Sequence, residues 1–492
     1  MLEKAPVSDS HWDMVVIGAG LGGLVAAARL SMAGKRVLLL EKHNIPGGCA
    51  TVFQRGKNRF EVGLHALNGF LPKDPRLDMW QSLGLNSAIK LIPLPMQYRV
   101  CWRDIDLRIP HGMEDCIEVL SCQFPQEHKN ILRYFLNLKS LVLPMLDSEA
   151  NFKDLIQFSR ISAGEFLDQH FLDKQLKLIL LANLGYFHHD PYTLSLLWFA
   201  FGQISYMEGG SYYIHGGSQA LSDFLAQKVE NCGTVLYRAT AKEILMEDNK
   251  ITGVRFFHQG ESVTVKTCGV IAGISPILVA GMLPETCVKI LGENKEIGPS
   301  LTSLYCNHTE GLIKLGWQDY NTIFLNENIP GMDAFIHKKL VSHSELGLKS
   351  LGYSLIDYSQ IDHGLGKNNP FTICHLDQIQ DWPEYKSKDY KEQKVSHANS
   401  MLEKLEPWIK DLKPSHQELA TPHTIQRYTE NPEGAVYGYA QTMNQSMFLR
   451  FNQRCSIPNL WFASAWSRPG GGFFGAMYSG WQVAGKCLGN RM

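Results

Sequence analysis

The sequence predicts an α/β protein, in which a doubly wound, parallel-sheet nucleotide-binding domain is interleaved with a second domain of mixed α+β character. Three observations predict it. A complete strand–helix–strand unit runs from Met14 to Glu41, and helix and strand patterns alternate again from Ser218 to Ala272. A short strand at Asn459 to Ala463 then leads through Pro469-Gly470-Gly471-Gly472 into an apolar helix near Gly475.

Bulk properties narrow the class. The 492 residues exceed what one core holds, so two domains are expected. Hydrophobic residues at 45% and charged residues at 19% are ordinary for a globular chain. A net charge of −1 without a run of like charges argues against nucleic acid as a partner. Eleven cysteines stand singly from Cys49 to Cys487, with no CxxC and no zinc-like spacing, so reduced thiols and no metal are expected. The first residues lack the apolar core of a secretory signal, which predicts a cytoplasmic protein. The longest apolar stretch, "LKLILLANLGYFHHDPYTLSLLWFAFG", is broken by His188, His189, Asp190 and Pro191 and reads as two buried helices around a turn.

Met14–Ile17 suits a buried parallel strand, and "GAGLGG" follows it at once. Gly18 permits the tight turn, Gly20 lets a pyrophosphate approach, and Gly23 lets helix and strand pack closely. With Leu21 and Gly22, the helix start offers unpaired N–H groups to the phosphates. The helix stops at Gly34, and "RVLLLE" ends in Glu41, placed to accept both ribose hydroxyls and to repel a 2′-phosphate. Lys42 follows directly, and Gly47-Gly48 lets backbone pass close to an extended ligand. "RFEVGLHA" alternates like a strand and presents His65, a candidate for substrate contact.

From Ser218 a helix, a strand and a hairpin lead to Val270–Ala272; Thr240 or Ala241 is expected to touch adenine through backbone. At the far end, backbone N–H groups at Gly475 and Ala476 are placed to stabilise negative charge on a ring. These residues alone leave FAD and NAD both open.

The motif "RYTENPEGAVYG" separates them. Arg427, Tyr428, Thr429, Asn431, Pro432, Gly434, Tyr437 and Gly438 resemble the RYT-x-NP-x-G-x-x-YG signature of the FAD-dependent carotenoid desaturase, carotenoid isomerase and retinol saturase group. That group sits within the flavin amine-oxidase-like superfamily. "PGGG" at Pro469 is similar to the end of bacterial phytoene desaturases, "GLHALNG" to retinol saturases, and "YYIHGGSQAL" to the family's Tyr-x-x-Gly-Gly helix start.

The resemblance implies non-covalent FAD in a Rossmann-like domain of glutathione-reductase type, built from 11–70, 205–300 and 453–492. Residues 71–204 and 301–452 would form the substrate domain. It implies hydride exchange at the flavin with the C–C or C=C bonds of an apolar polyene or isoprenoid lipid. His65 would donate or accept a proton, and Arg427 or Tyr428 would border the flavin or the substrate entrance. Quinone, oxygen or a reductase would be the electron partner, with peripheral membrane contact for substrate delivery. The chain departs from the wider superfamily at Ala463-Ser464-Ala465, which lacks the usual acid and leaves Ser464 or backbone to substitute. Desaturation, saturation and isomerisation stay open. The rival readings are a flavin amine oxidase and a non-catalytic lipid-escort protein of the same fold.

Overall fold

The computed structural model describes residues 11–146, 153–288, 295–332, 335 and 351–489. Its organising element is a five-stranded sheet in the order Thr234–Leu236, Val37–Leu40, Met14–Ile17, Val270–Ala272, Leu460–Phe462. Every pairing in it is parallel. The strands read as continuous apolar runs because both faces are covered. Helices Leu21–Met32, Ser218–Glu230 and Phe473–Cys487 pack on one face with Val16, Leu39 and Ile271. The other face, with Val15, Leu38 and Val270, meets an antiparallel layer built from 239–247, 250–258 and 261–267.

Strands for the parallel sheet thus come only from the beginning, middle and end of the chain. A seven-stranded sheet draws on 98–109 and 300–420 and stands beside it. Helices between 113 and 209 pack against one end of that sheet, and helix Lys388–Glu403 covers its outer face through Tyr390, Ala398 and Met401. A small sheet of Leu67–Asn68, Ser211–Ile214 and Leu91–Pro93 stitches the two halves together.

The long apolar stretch forms helix Lys174–Leu180, a 3-10 turn at Ala182–Tyr186 and helix Leu196–Gly209, as its polar interruption predicts. His188 is buried in the connection. Among the described residues no helix is long and apolar enough to cross a membrane.

Candidate active site

The glycine turn is shaped by contacts that exclude any side chain at three of its four glycines. Gly18 has φ +91°, and a Cβ there would lie 2.6 Å from Ile274. A Cβ on Gly23 would fall 2.1 Å from the Gly18 carbonyl oxygen, the close helix–strand packing that the spacing predicts. Gly22 does more than lend an N–H. Its Cβ would lie 2.1 Å from the Ala463 carbonyl, and one on Gly480 would lie 2.1 Å from Gly22 oxygen. The first and last helices therefore cross backbone to backbone.

Gly20 alone faces open space, with Gly273 oxygen at 3.9 Å as its nearest neighbour. No side chain caps this helix, and its first internal bond is Leu24 N–H to Gly20 oxygen. The N–H groups of Leu21, Gly22 and Gly23 thus point past Gly20 without an acceptor inside the helix. A second wall is supplied by Gly47 and Gly48, at φ +123° and +61°, with Gly47 bridged to Gly20. A narrow, uncapped, positively polarised cradle of this kind fits a pyrophosphate.

Glu41 closes the strand at 8% exposure. Its Oε2 accepts from Ala19 N–H at 2.8 Å and its Oε1 from His43 N–H at 2.7 Å. Each oxygen keeps a lone pair for a ribose hydroxyl. Thr240 and Ala241 follow Ala239 into an edge strand beside it, where Ala239 N–H donates to the Glu41 backbone carbonyl at 2.8 Å. Across the cradle, Ser464 is buried directly after the Ala463 carbonyl that touches Gly22.

The start of the C-terminal helix opens into a cavity of about 300 Å³, and Gly475 and His65 line the same space with Tyr186, Trp198, Phe201 and Tyr437. His65 Nδ1 meets the Tyr186 hydroxyl at 3.0 Å, and its Nε2 lies 3.9 Å from Cys374 Sγ. Burial drives the His65 imidazole down to about 4, the Cys374 thiol up to about 12 and the Tyr186 phenol well above its usual value. All three are neutral near pH 7, so His65 starts without a positive charge and burial works against one forming there.

Buried tyrosines hold the segment that carries His65. Tyr305, Tyr358 and Tyr320 donate to the carbonyls of Val62, Leu64 and His65. Glu61 accepts from the N–H groups of Gly63 and Leu64 and from both N–H and hydroxyl of Ser218. It thereby takes up the first N–H of helix Ser218–Glu230. Tyr305, Tyr320, Tyr358 and Ser218 are all far from His65 in sequence, and residue patterns give no sign of them.

The flavin-containing amine oxidoreductase family matches residues 21–488. The chain belongs to that family. Prolycopene isomerase 2 of an Oncidium hybrid cultivar is 27% identical, covering 87% of this chain and 75% of its own. All-trans-retinol 13,14-reductase of Danio rerio is 26% identical, covering 87% and 77%. A solved oxidoreductase from Methanosarcina mazei superposes with a TM-score of 0.66 at 16% identity, over 96% of this chain and 99% of that one.

This flavin-containing oxidoreductase therefore uses FAD, and Gly22 of the amino-terminal turn abuts Ala463 and Gly480 near the other end of the chain. Two site expectations need correction. The Ala476 N–H donates to Gly472 oxygen within the helix, so it is not available to a ring; Gly475 precedes the first internal bond and keeps its N–H free. Arg427 and Tyr428 do not line the cavity. They sit on an exposed helix end, where Arg427 donates to the Tyr385 hydroxyl at 3.0 Å and Tyr428 packs edge-on to His43. Lys42 is drawn to the same place, bridging to Glu430 at 3.2 Å.

The signature reaches the cavity through Tyr437 instead. Arg450, 1% exposed, donates to the carbonyls of Tyr437, Tyr439 and Ala465 and locks this loop to the segment after the last strand. Desolvation lowers its guanidinium to about 9. Arg450→Met leaves three buried carbonyls unpaired and is expected to cost ~2–4 kcal/mol, read as a lower denaturant midpoint.

Acid should destabilise the fold. Burial holds His65 at about 4 and His188 at about 3, below the ~6.5 of an exposed imidazole. Between those values the unfolded chain binds protons that the folded chain refuses, so stability is complete above pH ~6.5 and is lost as pH falls below it. Urea midpoints should drop steadily from pH 7 to about 5; a flat profile contradicts the burial of both rings.

Proposed function

We propose that this protein rearranges, removes hydrogen from or adds hydrogen to the C–C and C=C bonds of an apolar polyene or isoprenoid lipid. The observation that carries the reading is the cavity where His65 and the C-terminal helix start meet. Its walls are mainly apolar, with Tyr186, Trp198, Phe201 and Tyr437 among them, and its one acid, Asp74, is held by Arg76, whose Nε donates to both carboxylate oxygens at 2.9 and 3.0 Å. A polyene offers no strong hydrogen-bonding handle, so shape and exclusion of water suit it. An ammonium substrate finds no free carboxylate here, because Asp74 is already paired with Arg76.

Bound FAD supplies hydride exchange. The chain's own share is to seat the phosphates at Gly20 and Gly47, to exclude water with Trp198 and Phe201, and to hold a proton at His65 with Tyr186 behind it. The two relatives' names, an isomerase and a reductase, support polyene-like substrates. Anaerobic mixing with polyenes, retinoids and alkylamines tests this. The expected result is flavin bleaching or a product spectrum with a polyene only; turnover confined to amines overturns it.

Substrate would come from a membrane surface. On helix His128–Leu146, Leu132, Leu136 and Leu143 are exposed along one stripe, and Met145 and Leu146 at the end of the same helix line the cavity. Leu136→Glu combined with Leu143→Glu is expected to abolish flotation with liposomes and to leave flavin content unchanged. Equal flotation of variant and parent sinks this assignment.

A further inference from the structure

Strand Pro370–Asp377 turns alternate side chains to opposite faces of the seven-stranded sheet. Cys374 faces His65 and the cavity. His375 and Asp377 face the other way, toward helix Lys388–Glu403, and that helix returns His397 to them. His375 Nε2 and His397 Nε2 are 2.9 Å apart, with their ring centroids 5.1 Å apart. Donor atoms of His375, His397 and Asp377 all lie within 4.8 Å of one another. His375 and Asp377 are each 3% exposed, and His397 is half-buried at the rim.

The surroundings fix the donors. His375 Nδ1 lies 2.8 Å from the Leu376 carbonyl, which only accepts, so Nδ1 carries the proton and a neutral His375 keeps its lone pair on Nε2. That arrangement, a ring N–H tied to a backbone carbonyl with the other nitrogen aimed inward, is how metal-bound imidazoles are oriented. Asp377 is oriented as firmly: one oxygen accepts from Gln378 N–H, the other from the Trp382 indole and the Thr302 hydroxyl. The two nitrogens stand at hydrogen-bond distance, 2.9 Å, and a separation of about 3.3 Å would put both ~2.05 Å from one tetrahedral ion, a small opening of the pair. Two imidazoles and a carboxylate form a three-ligand set that leaves a coordination position for water at the half-exposed rim.

We propose that His375, Asp377 and His397 bind a divalent first-row transition ion of the zinc class, clipping helix Lys388–Glu403 to the back of the substrate sheet. The site is separate from the cavity, because its ligands occupy the opposite sheet face from Cys374. Its role is structural: the ion reinforces a strand–helix contact that side-chain packing and the His375–His397 pair already make. The ligands come as alternate residues on a strand and a lone histidine on a helix, so no local spacing announces them.

The test uses the flavin-loaded full chain, stripped with EDTA and dialysed against zinc, with His397→Ala and His397→Gln alongside. His397 stands at the rim of an exposed helix, and glutamine keeps a hydrogen-bonding group there. The expected result is one zinc per parent chain after gel filtration, and a higher melting temperature with zinc than with EDTA. Both variants should bind zinc at least about tenfold more weakly, lose the zinc-dependent melting shift, and keep parental flavin content. Cobalt substitution should give d–d absorption in the parent alone. Failure of the parent to retain zinc, or equal retention by the variants, overturns the proposal. Asp377→Asn supplies a second check, with weakened binding expected and unchanged binding removing the carboxylate from the site.

Discussion

Gly20→Val is expected to give a folded but colourless protein. The Gly20 backbone has φ −69° and ψ 167°, which valine adopts readily, and its Cβ direction meets only Gly273 oxygen at 3.9 Å. The added methyl groups project into the cradle over the uncapped helix start, where a pyrophosphate would sit. A loss of at least ~100-fold in flavin affinity, about 2.7 kcal/mol, is expected. It reads as missing absorbance near ~450 nm, the flavin band, in a chain whose apo-form melts like the parent. Gly22→Ala makes the contrast, because its Cβ would collide with the Ala463 carbonyl at 2.1 Å. That change should lower the melting temperature of the apo-form itself. A yellow Gly20→Val protein would remove the phosphates from this turn.

His65→Ala should lower turnover by ~10²–10⁴, the range of a positioned proton donor or acceptor. Flavin content should not change, because the ring faces the cavity with Tyr186 and Cys374 and takes no part in the cradle. Tyr186→Phe should cost less, because it removes the hydroxyl behind the imidazole and leaves the imidazole in place. Rapid flavin reduction with turnover intact in His65→Ala would show that shape and the cofactor suffice.

Legibility follows the range of the interactions. The parallel strands, the glycine turn, Glu41 at the end of its strand and the C-terminal glycine loop are local patterns, each set by spacing over a few residues. His65 stands out because a histidine follows a strand that enters a glycine turn. Tyr186, Cys374 and the tyrosines that grip residues 62–65 come from remote segments, and only tertiary packing brings them there. Arg427 and Tyr428 mislead for a related reason. A conspicuous motif marks a loop geometry, and within it Gly434 and Gly438, at φ +68° and +76°, bend the chain so that Tyr437, not its charged start, faces the cavity.

The way the parallel sheet is filled has a consequence for biosynthesis. Strand Leu460–Phe462 pairs with Val270–Ala272, and helix Phe473–Cys487 lies against Gly22. While translation proceeds, the amino-terminal turn therefore waits without its final wall, and the apolar edge at Val270–Ala272 stays uncovered. Pigmentation should appear only after release, and a stop codon ahead of residue 460 should yield aggregates in place of a weakly active fragment.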